Sequence, residues 1–186
     1  MSASPALAEN DDEVAIISAQ EVTASREAEA TAQLARLIDT YDLDRWTLTR
    51  SVIIEYRATP HSHPVLTLST RYINDDDKAL STYLHEQLHW YSEEHSAAVE
   101  QVKAELRNLY PDLPTGYPDG ARDADSNYLH LIVNTMEYRA LAEVIGAERA
   151  TQVFGRHRHY RRLYDIVEAD IEVIEGVMAR HGLDHP

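Results

Sequence analysis

Residues 74–95 read NDDDKALSTYLHEQLHWYSEEH. Asn74, Asp75, Asp76 and Asp77 supply capping oxygens and negative charge where a helix N-terminus needs both. The run from Ala79 through Trp90 is apolar at helical spacing, so a helix is predicted there. His85, Glu86 and His89 then make the pattern HExxH. Residues four apart share a helix face, so both imidazoles can reach one metal ion. A carboxylate beside them can take a proton from an attacking water and return it to a leaving amine. With no cysteine in the chain, any metal must be held by His, Asp or Glu.

A catalytic zinc takes three protein ligands and keeps one position open. Three residues compete for the third place. His95 lies six residues after His89. It would need the helix to break at Ser92, where no glycine makes a left-handed turn cheap. Glu137 falls on a later helical run, SNYLHLIVNTMEYRALAEVIG, where His130, Asn134 and Glu137 form one polar stripe among apolar neighbours. A carboxylate buried there is costly unless paired or metal-bound, which puts Glu137 first. His130 is the third candidate, as a ligand, as a residue orienting one, or as a donor to the tetrahedral intermediate.

Around this centre the chain is predicted to be mostly helical. An amphipathic helix spans Ala19 to Tyr41, and two β-rich runs, Trp46–Arg57 and Val65–Tyr72, are expected to pair antiparallel across the TPHSHP segment. Further helices are expected over Ser96–Tyr110, Ser126–Ile145 and His157–Arg180, with a Pro- and Gly-rich loop from Pro111 to Gly120. Residues 1–16 are small, polar and acidic and read as a loose arm, leaving 17–186 as one domain.

A strand, an HExxH helix and a later helix bearing Glu resemble the gluzincin branch of the zincin metallopeptidases, over roughly Val65 to Gly146. The resemblance implies an α+β, zincin-like fold with a small antiparallel or mixed sheet on the active-site helix. It also implies one catalytic zinc ion held by His85, His89 and Glu137, with Glu86 as general base. Strand 65–72 would line the cleft and pair with an extended peptide or protein substrate. Zincins commonly use Tyr, His or Arg to stabilise the oxyanion, and Tyr160 and His159 are the candidates here. Leu141 stands where larger gluzincins carry an acidic residue one turn after the third ligand.

The net charge of −15 argues against a nucleic-acid surface, and no stretch reaches the ~20 apolar residues of a membrane span. A basic leader is absent from the first residues, so a cytoplasmic protein is expected. One basic island, RHRHYRR at 156–162, reads either as a solvated face paired with carboxylates or as a patch for an acidic substrate group. His61 and His63 read as surface residues. Two other functions fit the motif: a non-catalytic pseudopeptidase module and a zinc hydrolase of a non-peptide amide. Glu86 favours catalysis, because a purely structural site has no use for a carboxylate between its ligands.

Overall fold

The computed structural model describes residues 19–186; the expected N-terminal arm lies outside them. Helix α1 (Ala19–Thr40) leads into two short strands, β1 (Val52–Glu55) and β2 (Leu66–Ser69). They are followed by α2 (Asp76–Glu94), α3 (Ser96–Leu109), α4 (Ala124–Ile145), α5 (Ala147–Phe154) and α6 (Arg161–Arg180). The chain is mostly helical with a small sheet, an α+β arrangement.

Helix α4 is the axis of the molecule. Its run Leu131, Ile132, Val133, Met136, Ala140 and Leu141 is fully buried, and α2, α3, α5 and α6 all pack against it. A helix apolar on nearly every side can only be a central one. Asp123 caps its start, accepting a hydrogen bond from Ser126 N at 2.8 Å. Gly146 ends it at φ 88°, a conformation that strains any residue with a Cβ. Helix α2 is capped by Asp75, which accepts from Lys78 N at 3.1 Å.

The sheet departs from expectation. β1 and β2 run parallel, with Val52 opposite Leu66 and Glu55 opposite Ser69. The antiparallel neighbour of β2 is instead the segment at His61, whose N–H and C=O both bond Thr67, at 3.1 and 2.8 Å. Pro60 and Pro64 forbid a tight hairpin between the β-rich runs, so the returning chain inserts its own segment beside β2 and β1 takes the far edge. At Thr67, therefore, the edge expected to receive an extended substrate is already filled.

Gln87, one of the two unspecified residues of HExxH, joins the sheet region to the motif helix. It is fully buried; its Oε1 accepts from Leu48 N and Thr49 N, and its Nε2 donates to Thr49 O, each at 2.8 Å.

Candidate metal centre

His85 and His89 project from the same face of α2, and His130 meets them from α4. One ligand atom from each of the three lies within 4.8 Å of the others, an arrangement that could hold a metal ion. The tautomers follow from the partners. His85 Nδ1 faces Glu137 Oε2 at 2.9 Å, and His130 Nδ1 faces the Ser126 carbonyl at 2.7 Å. Both partners can only accept, so both Nδ1 atoms carry the proton, and Nε2 is the atom that presents a lone pair in the neutral form of each ring; beside Glu137 the His85 pKa is raised despite its burial, so a metal there takes the place of a proton on Nε2. His85 Nε2 and His89 Nε2 stand 3.3 Å apart. Two nitrogens on a tetrahedral zinc, each about 2.05 Å from it, sit about 3.3 Å from one another, so the spacing fits such an ion. Burial and the neighbouring imidazoles hold His89 well below the usual histidine range; burial and then His85 push His130 down to about 4. Neutral imidazole is the form that binds a metal.

Glu137 is not in that group. It lies behind His85, wholly buried. Its Oε2 accepts from His85 and, at 3.0 Å, from the Tyr164 hydroxyl; its Oε1 accepts from the Ser81 hydroxyl at 2.5 Å. His157 Nε2 stands 3.8 Å from the same Oε1. Burial alone would raise the Glu137 pKa, but the hydrogen bond and charge of His85, helped by Ser81, keep the carboxylate ionised. The expectation that Glu137 completes a ligand set with His85 and His89 thus meets a different arrangement. The carboxylate spends its oxygens on three donors and orients His85 from the side opposite Nε2.

The other expected residues are distributed as follows. Glu86 is buried at 7% exposure on the wall of the same cleft, and burial raises its pKa. Tyr160 opens α6 in the left-handed conformation, φ 56°, with its ring centroid 4.3 Å from that of His130. Its phenol has no hydrogen-bond partner among the described residues, and burial, then the charge of Glu86, raises its pKa, so it stays a donor. A bulky side chain at positive φ is a strained feature of the kind that clusters at functional sites. His159 lines the cleft at its exposed rim, beside Tyr117. His95 is elsewhere. α2 runs unbroken through Ser92 to Glu94, and His95 ends it with Nδ1 on the Tyr91 carbonyl at 2.9 Å. In the basic island Arg156 pairs with Asp75 at 2.7 Å and Arg161 with Asp119 at 2.9 Å, the solvated-face reading for those two. His61 and His63, taken as plain surface residues, are exposed but line the cleft.

Sequence reasoning missed Ser81, His157 and Tyr164, which surround Glu137. Ser81 was within reach: it precedes His85 by one helical turn on the same face. His157 and Tyr164 come from beyond α5, a helix the sequence reading did not separate; His157 lies in the basic island, but nothing local ties either residue to Glu137.

The cleft itself has a volume of about 700 Å³ and is walled by the 59–63 segment, α2, the start of α4 and residues 157–164. Among the described residues, no helix is long and apolar enough to cross a membrane. No family model matches the chain, and neither does any curated protein or solved structure.

Proposed function

We propose that this chain is a zinc-dependent hydrolase that cleaves amide bonds of peptides, with His85, His89 and His130 as the metal ligands and Glu86 as the general base. The convergence of the three histidines beside Glu86 in one cleft carries this reading. It keeps the zincin-like succession of strand, motif helix and later ligand helix, but gives the third place to His130. Glu137 becomes the carboxylate that fixes the tautomer and orientation of His85. A zinc ion held there supplies Lewis acidity, polarising the scissile carbonyl and making water nucleophilic near neutral pH.

The chain's own groups do the rest. Glu86, with its pKa raised by burial, accepts the proton of the attacking water and delivers it to the departing amine. Tyr160, protonated and without a partner, donates a hydrogen bond to the carbonyl oxygen as negative charge develops on it. Gln87 and Glu137 hold the helix and the imidazole so that neither has to reorganise during the reaction.

Replacing Glu86 by Gln is the direct test. Turnover of a peptide substrate is expected to fall by about 10²–10⁴ while zinc stoichiometry stays at that of the parent. Undiminished turnover in Glu86→Gln protein with zinc bound would end the proposal.

A further inference from the structure

The exposed wall of the cleft differs in composition from the chain as a whole. The protein has 32 acidic against 17 basic residues. That count of 17 is of Lys and Arg alone; the exposed ionisable groups lining the cleft are the arginines Arg71 and Arg122 and the histidines His61, His63 and His159, with no exposed carboxylate among them. Its two lining carboxylates, Glu86 and Glu137, are buried at 7% and 0% exposure. Two of these basic groups have an acidic partner beside them: Asp123 stands 2.9 Å from Arg122, and Glu93 2.5 Å from His63.

Arg71 differs from these. It sits on the short turn that follows β2, exposed, and among the described residues its guanidinium makes no hydrogen bond or ion pair. Several other arginines in this acidic chain do find a carboxylate, as Arg36 does on Asp76 and Arg156 on Asp75. A guanidinium is a planar fork of donors matched to a carboxylate. An unpaired cation on the wall of a cleft, backed by low-dielectric protein, raises the local concentration of the opposite charge. An anionic group that enters the cleft therefore meets in Arg71 a guanidinium with no carboxylate already on it.

We propose that the substrate presents a carboxylate to the cleft and that Arg71 receives it, so that the preferred substrates are peptides carrying an acidic side chain or a free C-terminus near the scissile bond. This rests on the peptidase reading and narrows its substrate class.

The test is binding, which does not require turnover. Zinc-loaded Glu86→Gln protein is titrated with three peptides of otherwise identical sequence: one with Glu and an amidated end, one with Gln and an amidated end, and one with Gln and a free end. Trp90 reports occupancy, because its ring stacks on the cleft-lining His63 with centroids 4.1 Å apart and its Nε1 donates to Ser62 O at 3.0 Å. At low salt, at least one carboxylate peptide is expected to bind about fivefold more tightly than the neutral one, as for a solvent-accessible ion pair. Which of the two does so identifies the side chain or the terminus as the source. The preference is expected to shrink with added salt and to vanish in the Arg71→Gln, Glu86→Gln double variant. Equal binding of the three peptides, or a preference that survives Arg71→Gln, overturns the proposal. Turnover by the parent protein separates the two readings. Cleavage without charge preference removes the Arg71 site alone, whereas an Arg71-dependent preference without any cleavage removes the peptidase reading and leaves the site.

Discussion

Orienting a metal-bound histidine and binding the metal make incompatible demands on one carboxylate. A ligand oxygen needs a free lone pair aimed at the ion, whereas an orienting oxygen takes the proton on the far nitrogen of the imidazole. Glu137 does the second, and Ser81 and Tyr164 take two more of its acceptor sites. On the proposed ligand set, His130→Ala is expected to lower zinc affinity by orders of magnitude. Glu137→Gln should lower it about 10–100-fold and leave one zinc per chain at saturating metal. Zinc titration of the two purified variants checks this, and the reverse ranking would restore Glu137 as the ligand. The stripe of His130, Asn134 and Glu137 was legible in the sequence as buried polar groups facing one way. Which of its members meets His85 and His89 was not, because that depends on the depth at which α4 crosses α2, a property of packing between distant segments.

At the scale of elements, the helices were the readable part. Capping residues and apolar periodicity located α2, α3 and the end of α4 to within a few residues, since both signals are local. The sheet was not readable in the same way. Each β-rich run does contain a strand, but only four residues of it, Val52–Glu55 and Leu66–Ser69, with short 3-10 turns at Asp44–Trp46 and Thr70–Tyr72, and the parallel pairing depends on where the His61 segment docks. The last helix was expected from His157 and begins at Arg161, because Tyr160 takes the left-handed conformation and the chain enters the cleft before turning into α6. The loop before α4 is equally specific. Gly116 N donates to Ala121 O at 2.6 Å, and Asn127 joins Ala121 N to the Pro114 carbonyl. A Cβ on Gly120 would lie 1.7 Å from Pro114 O, a backbone atom that cannot step aside. Gly120→Ala is therefore expected to destabilise the fold by about 1–3 kcal/mol, the cost of opening a packed turn. A denaturation midpoint equal to the parent's would show that this loop is less constrained than its geometry implies.

For the whole molecule, the described residues share one hydrophobic cluster, which draws on α1 through α6 and on β2. A core of that extent does not depend on a metal for its existence, unlike a small metal-folded domain. On the proposed zinc site, chelation of zinc-loaded protein is expected to lower the melting temperature by several degrees, by removal of a ligand that binds only the native state, while leaving the helical circular-dichroism signal intact at 25 °C. Collapse of that signal on chelation would mean that the cluster is insufficient by itself. The placement of the three histidines also bears on time. His85 and His89 are neighbours on α2, but His130 lies beyond all of α3 and the 110–123 loop, and it reaches them only once α4 has docked. Loop closure over that length precedes any three-point grip on an ion, so helix docking comes first in folding and metal capture last. On the proposed ligand set the same order run backwards bears on release: an ion gripped from two packed helices keeps its third ligand for as long as they stay docked, so its residence time would depend on the breathing of the α2–α4 contact as well as on each coordinating bond.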